Sequence, residues 1–213
     1  MTTHEQSEID KKTLNTGTTT VGIACSDGIV MASDRRATMG YFIASKDIHK
    51  IYQIDDFLSM TIAGGVGDAQ ALIRMMQAEV QLYKLKHGKR ITVKAAASLL
   101  SNVLHNYKYY PFYVQLLIGG TEETPTVYSL DALGGLTEEK YVSTGSGSPV
   151  AYGVLEEMYK DGGSVKDNLR AAAHAIAAAM KRDAATGEYV DLVSVTKGGF
   201  KRYEKSEIEK MLQ

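Results

Sequence analysis

The sequence predicts an α+β domain built as a four-layer α/β/β/α sandwich, two stacked antiparallel sheets flanked by helix pairs. Three observations carry this expectation. Runs rich in β-branched residues come in consecutive blocks. Each of the first two blocks is followed by a pair of helical patterns rather than a single crossover helix. Two amphipathic helix pairs then need two apolar sheet faces, and two stacked sheets supply them most simply.

The elements follow in order. Thr18 to Cys25 and Ile29 to Ser33 flank the turn signal Ser26-Asp27-Gly28 and read as a hairpin. Ile51 to Ile54 and Phe57 to Ala63 read as two more strands around Asp55-Asp56. A helix capped by Asp68 places Leu72, Ile73, Met76, Val80 and Tyr83 on one face and should stop at Gly88. A second helix starts near Thr92 and repeats Ala95, Ala96, Leu99, Leu100 and Val103, with Pro111 beyond its end. Strands are expected again at Phe112 to Ile118, Thr126 to Leu130 and Lys140 to Ser143. Ser148-Pro149 reads as an N-cap and N1 pair. Ser164-x-x-Asp167 reads as a capping box ahead of an alanine-rich helix. Strands at Tyr189 to Thr196 and Gly199 to Tyr203 and a charged C-terminal helix complete the chain. There is no internal repeat, and no interior linker long enough to split the domain.

Composition narrows the function classes. With 213 residues the chain is long enough for one well-buried core. Lys plus Arg number 24 against 25 Asp plus Glu, so neither nucleic acid nor an anionic membrane surface is expected as the main partner. One cysteine, Cys25, excludes an intrachain disulfide and fits a reducing compartment. No apolar stretch is long enough to span a membrane, and Met1 to Lys12 lack the apolar core of a secretory signal. A cytoplasmic protein is expected.

Most chemistry-bearing residues have bland readings. His4, His49, His87, His105 and His174 are scattered and show no metal-ligand spacing. There is no G-x-S-x-G. Cys25 lies in a strand pattern and reads as a small buried hydrophobe. Gly145-Ser146-Gly147-Ser148-Pro149 opens a helix but lacks the lysine of a phosphate-binding loop, so a tight strand-to-helix turn is the better reading. Gly64-Gly65-Val66-Gly67-Asp68 carries the same ambiguity. The unusual feature is the junction of a polar tail, residues 1–17, with a strand that begins at Thr18. A threonine hydroxyl is a poor nucleophile at neutral pH, and a freed amine on the same residue is a base that arrives with it. That amine has a reference pKa of about 8, and a nearby cation lowers it.

From these residues a resemblance emerges. Gly17-Thr18-Thr19-Thr20-Val21-Gly22-Ile23 followed by Met31-Ala32-Ser33-Asp34-Arg35-Arg36-Ala37-Thr38 resembles the start of a mature archaeal-type 20S proteasome β subunit. Further matches run through Thr61 to Gln70, Ser143 to Pro149 and Lys181 to Gly187. The resemblance covers residues 18–213 and implies the fold of the N-terminal nucleophile hydrolases. It implies a propeptide, residues 1–17, removed by autocleavage between Gly17 and Thr18 ahead of a protease domain, residues 18–213. By the same likeness, Thr18 is the nucleophile of a threonine endopeptidase. Asp34 and Lys50 stand at the family's acid and lysine positions, Gly64 at its oxyanion donor, and Ser146, Asp183 and Thr186 at supporting positions around the amine. The last of these is often serine in the family. Read singly, Asp34 beside Arg35 and Arg36 looks like a surface ion pair and Lys50 like a solvated strand-edge lysine. The joint match reverses both readings.

The resemblance further implies a substrate pocket lined by Ala37, Ile48, Tyr52, Ile62 and Val66, with Gln70 at its end. None of these is charged, so cleavage after Leu, Tyr or Phe is expected. Implied partners are other β subunits in a seven-membered ring, capping α subunits, an ATP-dependent unfoldase and polypeptide substrates. No metal and no organic cofactor is implied. The competing readings are a catalytically silent structural subunit of the β ring and the related bacterial hexameric protease. The Gly17-Thr18 junction and Lys50 speak against the former, the matches beyond residue 60 against the latter.

Overall fold

The computed structural model describes residues 17–122 and 124–213. The expected tail therefore lies outside the described residues, except for Gly17. Twelve strands are found among the described residues. In chain order they are β1 (Thr19–Ala24), β2 (Gly28–Ser33), β3 (Ala37–Met39), β4 (Phe42–Ser45), β5 (Ile51–Asp55), β6 (Leu58–Gly64), β7 (Val114–Gly120), β8 (Thr126–Leu130), β9 (Leu136–Glu139), β10 (Tyr141–Gly145), β11 (Asp191–Thr196) and β12 (Gly199–Arg202). The helices are α1 (Val66–His87), α2 (Val93–Asn106), α3 (Ser148–Met158), α4 (Val165–Arg182) and α5 (Lys205–Leu212).

Two five-stranded sheets form, ordered β10-β1-β2-β11-β12 and β5-β6-β7-β8-β9, and every recorded pairing in them is antiparallel. Three buried clusters show the layering. One packs the second sheet against α1 and α2 through Met60, Leu72, Met76, Leu100 and Leu116. Another packs the first sheet against α3, α4 and α5 through Val21, Ile23, Leu155, Ile176 and Ile208. The third lies between the sheets and contains Ile29, Met31, Leu117, Val127, Val193 and Val195. β2 shows how the sequence encodes this. Its Val30 and Ala32 face the helices while Ile29 and Met31 face the other sheet, and all four are fully buried. A strand covered on both faces has no polar face to show, so it reads as one apolar run. Each such Ile or Val side chain contributes roughly 1.5–3 kcal/mol by leaving water. The predicted four-layer sandwich is the observed one.

Several caps match the sequence reading. Thr92 accepts a hydrogen bond from the Ala95 N–H, and Ser164 and Asp167 form the reciprocal box. Gly88 closes α1 in the left-handed conformation at φ 64°. Two caps differ. α1 begins at Val66 with Gly65 as N-cap, and Asp68 lies in its first turn. The Asp68 carboxylate instead accepts the Tyr113 N–H at 3.0 Å, tying the start of α1 to the start of β7. Likewise Gly147, not Ser148, is the N-cap of α3, because the chain leaves β10 through a turn tight enough to enter the helix one residue sooner. The sequence also missed two features. The β3–β4 hairpin is short, and its Met39, Tyr41 and Phe42 are exposed. β9 is the polar edge Leu136-Thr137-Glu138-Glu139.

Candidate active site

The hairpin register assembles the site. Thr20 pairs with Ser33 across β1 and β2, which brings the residue before one strand beside the residue after the other. The Asp34 N–H donates to the Thr19 carbonyl at 3.3 Å, and the Thr19 N–H donates to Asp34 Oδ1 at 3.1 Å. Lys50 immediately precedes β5, its carbonyl held by the Ile62 N–H of β6 at 2.9 Å. From there Lys50 Nζ reaches Asp34 Oδ1 at 2.6 Å.

This pair is buried. Asp34 is 0% and Lys50 3% exposed. The solvated readings of both residues are therefore wrong. A buried carboxylate must have its lone pairs satisfied, and Asp34 accepts from four donors. Besides Lys50 and Thr19, the N–H groups of Arg36 and Gly187 donate to Oδ2 at 3.1 and 3.0 Å. Burial pushes the Lys50 ammonium below its ordinary value of 10.5, and the adjacent Asp34 charge pulls the other way.

A second group of bonds leads from Asp34 back to Thr18. Thr18 is 4% exposed. Its Oγ1 donates to the Gly17 carbonyl oxygen at 2.7 Å, and its N–H donates to Ser146 Oγ at 3.2 Å. Ser146 Oγ donates to Asp183 Oδ2 at 2.6 Å, and Thr186 Oγ1 donates to the same oxygen at 2.5 Å. Thr186 Oγ1 and Thr19 Oγ1 are 2.7 Å apart. Six of the predicted residues, Thr18, Asp34, Lys50, Ser146, Asp183 and Thr186, thus lie on one hydrogen-bonded chain in which Thr19 is the link.

The junction itself is clamped. The Gly17 N–H donates to Thr38 Oγ1 at 3.0 Å. A Cβ at Gly17 would lie 1.7 Å from the Ala185 Cβ, so only glycine fits. Gly64 has φ +118°, and a Cβ there would lie 2.2 Å from the Tyr113 carbonyl oxygen. That carbonyl also accepts the Gly65 N–H at 2.7 Å. A cavity of about 590 Å³ adjoins Gly64 and Ser146, with Tyr113, Gln115 and Leu133 in its wall. None of the six predicted pocket residues lines it.

Those six lie elsewhere. Ile62 is buried in the cluster under α1, and Tyr52 packs against that cluster. Val66 opens α1, and Gln70 is exposed on the same helix. Ala37 begins β3, and the Ile48 N–H donates to the Arg35 carbonyl at 2.9 Å two residues earlier.

Sequence reasoning missed Thr19, Thr38, Arg36, Gly187 and Glu188. Arg36 bonds Glu188 through Nε at 3.2 Å and the Ala184 carbonyl through a terminal nitrogen at 2.9 Å, anchoring the loop that carries Asp183 and Thr186. Glu188 itself has φ 76°, a strained conformation for a non-glycine residue. Cys25 takes no part. It is buried, and burial pushes its thiol up to about 12. Among the described residues no group of three or more His, Cys, Asp or Glu is placed to hold a metal ion, and no helix is long and apolar enough to cross a membrane.

A four-layer sandwich with a threonine at the head of its first strand has the fold of the N-terminal nucleophile hydrolases. A family model described as "Proteasome subunit" matches residues 14–195. The chain belongs to the proteasome subunit family. It is 54% identical over 199 residues to the proteasome subunit beta of Methanohalophilus mahii, covering 92% of this chain and 95% of the relative. It is 55% identical over 195 residues to that of Methanosarcina barkeri, at 91% and 92% coverage. With that of Archaeoglobus profundus it shares 50% over 198 residues, at 92% of each chain.

Proposed function

We propose that this chain is a threonine endopeptidase subunit of a proteasome core, made as a precursor that frees Thr18 by cutting after Gly17. The observation that carries this reading is the unbroken chain of hydrogen bonds from Thr18 through Ser146, Asp183, Thr186, Thr19 and Asp34 to Lys50. A structural subunit has no need of a buried lysine joined in this way to its first strand.

In autocleavage Thr18 Oγ1 attacks the Gly17 carbonyl carbon and the C–N bond breaks. The amide becomes an ester on Oγ1, and the Thr18 nitrogen becomes a free amine. Water then hydrolyses the ester and releases residues 1–17 with a Gly17 carboxylate. In peptide hydrolysis the amine accepts the Oγ1 proton as the oxygen attacks the substrate carbonyl. Gly64 offers its N–H to the developing oxyanion. The amine passes the proton to the departing nitrogen, and water attacks the acyl ester by the same route in reverse. Lys50 acts by charge. As a cation near the amine it favours the neutral, basic form at neutral pH. Ser146, Asp183 and Thr186 hold the amine in place.

The chain acts among other β subunits in a ring capped by α subunits, in the cytoplasm, on polypeptides supplied by an ATP-driven unfoldase. The residue before the cut is received by Ala37, Ile48, Tyr52, Ile62 and Val66. Contact with Leu or Phe contributes about 1.5–3 kcal/mol there. A basic side chain would leave water with no partner but Gln70. The test is kcat/KM on matched fluorogenic peptides that differ only at that residue, with Thr18→Ala as the blank. Faster turnover of the Leu, Tyr and Phe peptides supports the reading. Equal or faster turnover of the Arg peptide removes the pocket, and turnover by Thr18→Ala removes the nucleophile.

A further inference from the structure

Next to the Asp34–Lys50 pair lies a second ionic cluster that the proposed chemistry does not use. Its centre is Asp191, the first residue of β11, which is 4% exposed and paired opposite Ser33, the neighbour of Asp34. Two arginines converge on one oxygen of this carboxylate. Arg35 donates to Asp191 Oδ2 at 3.1 Å, and Arg202 of β12 bonds the same oxygen. What each arginine does with its remaining donors is informative. Arg35 Nε bonds Asp47 Oδ1 at 3.0 Å, and a terminal nitrogen reaches the His49 ring at 3.2 Å. Arg202 bonds His49 Nδ1 at 2.9 Å and the Ile51 carbonyl at 2.7 Å. His49 and Ile51 are the residues on either side of Lys50.

We propose that Asp191 is a positioning residue for Lys50, acting through Arg35 and Arg202. Asp34 fixes the tip of the lysine, and the Asp191 cluster fixes the backbone from which the lysine projects. Lys50 precedes β5 instead of lying within it, so the strand ladder holds it on one side only, through the Ile62 N–H on its carbonyl. Four flexible bonds separate its Cα from Nζ, so a tip-only contact would leave the ammonium free to follow any shift of its backbone. Guanidinium forks give directional, multi-point restraint, which a lysine in their place would not. The buried carboxylate is what keeps two like-charged forks side by side, and removing its charge sets them against each other. Arg202, whose side chain is 31% exposed, then has water to move into and lets go of Ile51. Lys50 Nζ contacts Asp34, the fields of Asp183 and Arg36 also act on it, and none of these three residues belongs to the second cluster.

This inference rests on the role proposed for Lys50. It is tested on the mature, assembled particle with Asp191→Asn and, as a variant at a more exposed site, Arg202→Gln. The readouts are kcat and KM per titrated active site and the pH profile of kcat/KM, with Lys50→Ala run alongside. Misplacement of the ammonium lowers kcat on the order of 10- to 100-fold in Asp191→Asn, with a smaller loss in Arg202→Gln. KM changes less than about twofold, because no group that binds substrate has been altered. The acid limb of the profile moves to higher pH, because the Thr18 amine has lost part of the neighbouring positive charge. A purely structural Asp191 would reduce stability or the number of active sites and leave kcat per site and the profile shape unchanged. That outcome overturns the proposal. If Asp191→Asn does not assemble, the profile of Arg202→Gln decides alone. Activity persisting in Lys50→Ala would instead refute the role of Lys50, a failure distinguishable from the first.

Discussion

Lys50–Asp34 and Lys140–Asp161 are both lysine–aspartate pairs with close contacts, 2.6 Å and 2.9 Å. Their surroundings differ completely. In the first the side chains are 4% and 0% exposed, in the second 70% and 68%. At the surface each charge keeps its water, and salt screens what attraction remains. Inside, the charges have lost water, so each needs the other and needs further donors as well. Asp34 has them in three backbone N–H groups. Asp161 is held down by Lys140 and the Tyr159 hydroxyl, groups from which it can be released at little cost. The same two residue types thus make a fixed electrostatic device in one place and an incidental surface contact in the other. Burial and backbone donors make the difference, and residue type does not.

The largest expected effect comes from breaking the buried pair. Lys50→Ala leaves the Asp34 carboxylate without its cation, which destabilises the fold by about 3 kcal/mol. It lowers kcat on the order of 10³-fold, measured on pre-trimmed protein in assembled particles. Lys50→Arg fails to restore activity because the guanidinium is larger than the site left by an ammonium. Retention of half the wild-type kcat by Lys50→Ala would erase the distinction between the two pairs.

Next in size is the junction. Gly17→Val places a branched side chain where even a Cβ meets Ala185 at 1.7 Å. Autocleavage slows on the order of 100-fold, followed by intact mass over time, while protein supplied with Thr18 already at its N-terminus works normally. A smaller loss follows at the network's far end. Thr186→Ala removes the bonds to Asp183 and Thr19, costing about 1–2 kcal/mol and about tenfold in kcat, whereas Thr186→Ser stays within about twofold.

The pH dependence has a definite sign. The folded-state pKa of Lys50 lies below its ordinary 10.5. Between those two values the unfolded chain holds a proton that the folded chain has shed, so this group makes stability rise with pH across that window and contributes nothing below it. Activity moves the other way. As Lys50 loses its charge, kcat falls, with an alkaline limb below 10.5 that is absent from Lys50→Ala. The smallest effect belongs to the surface pair. Lys140→Ala leaves kcat, KM and Tm unchanged within error, and a measurable change in Tm would show that exposure is a poor guide here.

The sequence was most legible where a feature is local or repeated. Gly88, Thr92 and the Ser164–Asp167 box act on their own helices, so they can be seen without tertiary knowledge. The doubly covered strands appeared as apolar runs. Asp68 failed as a cap because its carboxylate serves a residue 45 positions away, the Tyr113 N–H. The β3–β4 hairpin and β9 were invisible because short edge strands with exposed or polar side chains lack the alternation that burial imposes. In the site, Thr18 stood out as the residue where the polar tail meets the first strand, whereas Asp34 and Lys50 were reached by resemblance, since their own neighbourhoods favour solvated readings. Arg36, Gly187 and Glu188 were missed because they contribute through backbone donors and long-range loop anchors, which leave no trace in spacing.

The central claim is that Thr18 is a nucleophile released by its own attack on Gly17. The most direct measurement is the intact mass of wild-type and Thr18→Ala chains, each assembled into particles under the same conditions. The account predicts a wild-type chain that begins at Thr18 and a Thr18→Ala chain that keeps residues 1–17. A wild-type chain that begins at Thr19 or Thr20, or a Thr18→Ala chain trimmed to the same point by its own particle, would contradict it.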